Sequence, residues 1–163
     1  LQNKLAKQGQ ILTLKDNPYG AINQNKNDIV IDNNSREFVE KSGSWEVEET
    51  LHNGRFQMNY EFSDIIKSTF TYKPYLFETG WYNLYIWHPE SKEYTSEASV
   101  IIQNKENSER KQVDMTRNAK QWKSVGIHYF DKGWGSKIIL KVINEGNTVV
   151  SDAIRLKYIG KTR

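Results

Sequence analysis

The sequence predicts an all-β fold, and three observations carry that prediction. From residue 28 onward, short apolar stretches recur at a spacing of roughly 8–15 residues, with turn-forming residues between them. Several of these stretches alternate large and polar residues with a period of two, as a half-buried strand does. No segment in this region sustains a helical period over three turns. Short strands in such a series build a sandwich or a barrel.

Taken in order, the first 27 residues differ from the rest. Leu1, Leu5 and Gly9 read as a short helix closed by a C-terminal glycine. Ile11, Leu12 and Leu14 give a brief extended piece, Asp16 to Gly20 a turn cluster, and Asn23 to Asn27 a polar linker. Residues 1–27 are therefore expected to be the tail of an upstream domain plus a linker, and residues 28–163 the β module. Within it, Ile29-Val30-Ile31 reads as a buried strand ended by Asp32-Asn33-Asn34, and Trp45 to Glu49 as a half-exposed one. Asn53-Gly54 is a tight-turn signal ahead of a strictly alternating run from Arg55 to Phe62. Further strands are expected over 69–72, 81–87, 98–103, 111–115, 125–130, 137–143 and 149–158. Gly133-Trp134-Gly135 reads as a hairpin turn, since no βαβ unit surrounds its glycines.

Composition narrows the function. The 163 residues form a chain of single-domain length that can bury a full core. With no cysteine, a disulfide scaffold, a thiolate metal site, an iron–sulfur cluster and thiol catalysis are all excluded. No apolar run approaches the ~18 residues of a membrane span. The formal charge is +3, and the densest basic stretch (Lys105, Arg110, Lys111, Arg117, Lys120, Lys123) is interrupted by Glu106, Glu109 and Asp114. Such a diluted block reads as a solvated face and not as a nucleic-acid site.

Catalytic patterns are absent. His52, His88 and His128 form no metal-binding or acid–base spacing, and no nucleophile elbow occurs. Asp28, Asp32 and Asn33 offer oxygens of the kind that hold a structural calcium ion, although an Asx turn ending a strand accounts for them equally. No catalytic residue, cofactor or metal is assigned on these grounds.

The aromatic content, 12%, is the most informative feature. Along Trp81 to His88, one face carries Tyr82, Leu84, Ile86 and His88, and the other Trp81, Asn83, Tyr85 and Trp87. With the first set in the core, Tyr85 and Trp87 point to the outer face, where flat rings stack on sugars or anchor a partner. Trp134, in its glycine-flanked turn, and Tyr94, in the loop after Pro89, are the other exposed rings expected. Tyr85, Trp87, Tyr94 and Trp134 are the candidate ligand-binding residues.

The motif order resembles the golvesin and xanthan-lyase-type carbohydrate-binding-like domains. The resemblance rests on Asp28-Ile-Val-Ile-Asp-Asn33, Ser42-Gly-Ser-Trp45, Phe70-Thr-Tyr-Lys-Pro74 and Gly80-Trp-Tyr-Asn-Leu-Tyr-Ile-Trp-His-Pro89. It continues through Val113 to Asn118, Gln121-Trp122, Val125-Gly126 and Tyr129 to Gly133, and closes with Val149 to Leu156. It covers residues 28 to about 159. It implies a galactose-binding-like jelly-roll β-sandwich of two antiparallel sheets. Trp45, Trp122, Asp152 and Arg155 match family positions that read as structural. Where relatives carry a second aromatic, this chain has His88. Asp152 and Arg155 are three apart, so they need separate partners on opposite faces. The resemblance further implies a non-catalytic accessory module, carbohydrate-binding, on a secreted or surface bacterial enzyme. Its location is then extracellular, periplasmic or at the cell surface, and its partners a glycan and an upstream catalytic domain. The alternative is an interaction domain without a sugar site, packed against that neighbour. The residues Leu1 to Leu12 resemble the closing helix and strand of some FAD-dependent oxidoreductase domains, so the resemblances imply an enzyme of that kind or a polysaccharide lyase as the expected neighbour.

Overall fold

The computed structural model describes residues 27–48, 54–57 and 59–163. The expected N-terminal helix, His52 and Met58 lie outside the described residues. Among the described residues twelve strands follow in order: β1 Asp28–Asp32, β2 Val39–Ser42, β3 Glu46–Glu48, β4 Tyr60–Ser63, β5 Thr69–Tyr72 and β6 Gly80–Trp87. Then come β7 Ala98–Gln103, β8 Ser108–Val113, β9 Lys123–Phe130, β10 Lys137–Lys141, β11 Val149–Ser151 and β12 Ala153–Gly160. One 3-10 turn, Arg36–Phe38, joins β1 to β2.

Two large sheets form the sandwich, with strand orders β1-β12-β6-β9 and β2-β5-β10-β7-β8. A smaller sheet, β11-β4-β3, extends it. The strands pair antiparallel throughout. Period-two alternation sends Tyr82, Leu84 and Ile86 of β6 inward, with Ile29 and Ile31 of β1 and Ile154 and Leu156 of β12. They meet Phe70, Tyr72, Val100, Ile102, Ile138 and Leu140 from the other sheet in one core. Each buried side chain of this size contributes about 1.5–3 kcal/mol, so no disulfide is needed. Tyr72, wholly enclosed, places its hydroxyl 2.6 Å from that of Ser151, which pairs its one polar atom.

Three elements depart from the expected strands. The run Arg55 to Phe62 is not one strand, because β4 begins only at Tyr60. Gln57 takes a left-handed φ of 54°, and the backbone N–H of Phe56 donates to Asp152 Oδ2 at 2.8 Å, drawing this segment away from the sheet. The run 149–158 divides into β11 and β12 at Asp152, and each half joins a different sheet. The segment Gly133-Trp134-Gly135 is a crossing and not a hairpin, since β9 and β10 on either side belong to opposite sheets.

Candidate functional site

The long central strand β6 decides what the first sheet shows to solvent. Its outward set is Trp81, Asn83, Tyr85 and Trp87, all half-buried. Register extends the set across neighbouring strands. Trp81 lies opposite Tyr129, Asn83 opposite Ile127 and Tyr85 opposite Ser124 on β9. Asn83 and Tyr85 lie opposite Lys157 and Arg155 on β12. A bulge keeps this match: Leu84 pairs with Gly126 and Tyr85 with Ser124, leaving Val125 extra and buried. Gly126 takes φ 109°, a conformation that glycine adopts without strain.

The middle of this face is polar and tied together. Ser124 Oγ donates to Asn83 Oδ1 at 2.7 Å, and Asn83 Nδ2 donates to the Tyr85 hydroxyl at 2.9 Å. At one end, Trp87 packs with Phe56 and Trp122, ring centres 5.7 and 5.5 Å away, and its Nε1–H donates to Gly54 O at 2.7 Å. Arg155 lies 5.9 Å from the Trp122 ring. At the other end, Trp81 and Tyr129 meet edge to face at 5.4 Å, and Tyr129 keeps 41% of its surface exposed. There the face turns into a cleft of about 510 Å³ between the free edges of the two sheets. Asn107, Glu109, Lys111, His128 and Arg163 line it beside the two rings. Edge strand β8 turns Glu109 toward His128, with Glu109 Oε2 3.1 Å from Nδ1.

The four rings expected at a ligand site fall in three places. Tyr85 and Trp87 share the outer face just described. Tyr94 is half-buried, and its hydroxyl donates to that of Tyr60 at 3.1 Å. Trp134 is 55% exposed, stacked on Phe38 at 5.6 Å and tilted against Tyr75 at 5.1 Å. Trp81 belonged to the same alternating set as Tyr85 and Trp87 in the sequence. Its pairing with Tyr129, however, is a cross-strand contact that no single strand reveals.

The remaining polar groups perform structural tasks. His88 is buried, with Nδ1 2.9 Å from Pro89 O, and burial lowers its pKa. His128 is engaged by Glu109 and Val125 O, so the two described histidines do not converge. Among the described residues no three His, Cys, Asp or Glu side chains gather as a metal cluster. Asp28, whose oxygens are of the kind that can hold calcium, is bound by Arg155 through Nε and Nη2 at 2.8 and 2.7 Å. Half of the basic stretch is ion-paired: Lys111 with Glu109, Lys120 with Glu90 and Arg117 with Asp114.

The family model described as the Golvesin C-terminal domain matches residues 29–158. The chain belongs to that family. No curated protein matches it in sequence. Among solved structures it is similar to a Paenibacillus xanthan lyase, with 20% identity and a TM-score of 0.77 over 83% of this chain. A Podospora anserina GH26-CBM35 β-(1,4)-mannanase follows at 15% identity and 0.63 over 83%. A family 35 carbohydrate-binding module from Clostridium thermocellum matches at 12% and 0.58 over 79%. This golvesin-type domain spans 13% of the lyase chain, 28% of the mannanase chain and 98% of the isolated module. At these identities the likeness concerns the fold, a β-sandwich shared with carbohydrate-binding modules. No helix among the described residues is long and apolar enough to cross a membrane.

Proposed function

We propose that this golvesin-type domain is a non-catalytic accessory module that binds polysaccharide along the outer face of β6 and β9. One observation carries the reading. Aromatic rings stand at both ends of a single outer face, Trp81 with Tyr129 and Tyr85 with Trp87, with the linked amide of Asn83 and hydroxyl of Ser124 between them. The eight residues of β6 run about 25 Å at the usual strand rise, room for several sugar units. Rings take the apolar faces of those sugars while amides and hydroxyls take their hydroxyl groups. Trp134 offers a separate single-ring contact. Tyr94 has less to offer, with its hydroxyl already engaged.

The reading extends to a neighbour. The lyase and mannanase chains are several times longer than this domain, which supports a module that holds a catalytic domain against its substrate outside the cell or in the periplasm. Affinity electrophoresis through gels containing acidic and neutral polysaccharides tests the binding directly. Retardation by at least one polymer, weakened by Trp81→Ala and Tyr129→Ala, is the expected result. Unretarded migration in every gel sinks the sugar reading and favours the interaction role.

A further inference from the structure

A second site lies where β1 ends and β12 begins. We propose that Asp32, Asn33 and Asp152 form an all-oxygen site for a calcium-sized divalent cation. The corner is closed by backbone: Asn33 N–H donates to Asp152 O at 2.7 Å, and Asp32 pairs with Ala153. The three side chains are enclosed, at 0%, 2% and 1% exposure. Each carboxylate has one oxygen partnered. Asp32 Oδ2 accepts from Asn34 N–H at 3.0 Å and Asp152 Oδ2 from Phe56 N–H at 2.8 Å. The other oxygen of each, together with Asn33 Oδ1, has no hydrogen-bond partner. The Asn33 amide is oriented by its own donor, since Nδ2 donates to Asn59 Oδ1 at 2.7 Å, an oxygen that also accepts from Asn34 Nδ2.

Three buried acceptors without a donor are costly, because each has left water and gained nothing. Two belong to carboxylates that repel each other. Among the described residues, Lys41 is bound to Glu61 and Arg155 to Asp28, while Arg55 lowers the Asp152 pKa by its charge. Carboxylate and amide oxygens suit calcium, which accepts irregular oxygen shells, and the donor set lacks the nitrogen and sulfur that zinc prefers. The consequence reaches the aromatic face. Asp152 fixes Phe56, Phe56 packs on Trp87, and Gly54 beside it holds the Trp87 indole N–H. The site does not depend on whether that face binds sugar.

The test uses the 163-residue chain stripped with EDTA, then titrated with calcium and with terbium. Calcium in the millimolar range should raise Tm by several degrees, and Asp152→Asn should lose the shift. Terbium should show tryptophan-sensitised emission, with lifetimes in H₂O and D₂O reporting few retained waters. An unchanged Tm, or the same shift in a folded Asp152→Asn variant, overturns the proposal. Should that variant not fold, the lifetimes of the unsubstituted chain decide. A nearly fully hydrated ion overturns the proposal, and a largely dehydrated one supports it.

Discussion

Arg155 grips Asp28 through two parallel hydrogen bonds, Nε to Oδ1 at 2.8 Å and Nη2 to Oδ2 at 2.7 Å, joining the first strand to the last. The pair sits at partial burial, and the Asp28 carboxylate holds the guanidinium pKa up. A fork of this kind is roughly twice as strong as a neutral hydrogen bond. Arg155→Lys keeps the charge and loses the fork, as well as the planar group near Trp122. We expect a loss of about 1–2 kcal/mol in urea unfolding, on the scale of hydrogen bonds to charged groups. Asp28→Asn should cost a similar amount. A neutral outcome for both would mean that the fork is loose in solution.

Tyr72 sets a second test, this time inside the core. Its ring is wholly buried, and its hydroxyl meets Ser151 Oγ at 2.6 Å. Tyr72→Phe conserves the ring but leaves the serine oxygen unpaired, so it should cost about 1–3 kcal/mol. Tyr72→Phe combined with Ser151→Ala removes both polar groups and should recover part of that loss. Equal stability of the single and double variants would argue against the bond.

The carboxyl pair predicts a pH dependence with a definite sign. Asp32 and Asp152 are raised from about 3.8 when unfolded to about 8 and about 9 when folded, chiefly by burial. Between those limits the native state holds protons that the unfolded chain has released. Stability is then fully present at low pH and is lost as pH rises. The loss amounts to about 1.4 kcal/mol per pH unit for each retained proton. His88 works in the opposite sense, since its lowered pKa costs stability only as pH falls below about 6.5. Between pH 6.5 and 8 the pair therefore dominates, and Tm in calcium-free buffer should fall across that window. A Tm that is flat there would show that neither carboxyl is protonated in the native state.

Much of this fold was legible in the chain because its signals are local. Period-two alternation identified β6 to within one residue and separated its core face from its outer face. Thr69–Tyr72 and Ala98–Gln103 likewise follow from their β-branched and aromatic runs. What escaped was settled by tertiary contacts. Arg55 to Phe62 alternates as a strand should, yet Asp152, almost a hundred residues away, accepts the Phe56 N–H and breaks it. The glycines around Trp134 suit a hairpin, but β9 and β10 pair in opposite sheets, and the partners that decide this are not named by the local sequence. Tyr129 became a site residue only through its register with Trp81. The carboxylate pair was similarly hidden, since Asp32 and Asp152 stand at opposite ends of the chain.

The proposed sugar face makes its sharpest prediction through the contrast between rings. Trp81 and Tyr129 support each other at the mouth of the cleft, and Tyr129 is 41% exposed, so both can be truncated with limited damage to the core. Trp87 is different. It packs with Phe56 and Trp122 and donates to Gly54 O, so Trp87→Ala should lower stability as well as binding. Trp134 is more exposed than either but stands apart on Phe38 and Tyr75. If stacking at the cleft mouth drives recognition, Trp81→Ala and Tyr129→Ala should each weaken polysaccharide affinity about tenfold or more, the scale of 1–2 kcal/mol per stacked ring. Their Tm values should shift by only a few degrees. Trp134→Ala should change affinity less than threefold, and Ser124→Ala should fall between, because it removes one hydroxyl and frees Asn83. Isothermal titration with whichever polymer retards the unsubstituted chain measures all four. Affinity lost through Trp134 alone would move the site to the Phe38 side of the sandwich and leave β6 as framework.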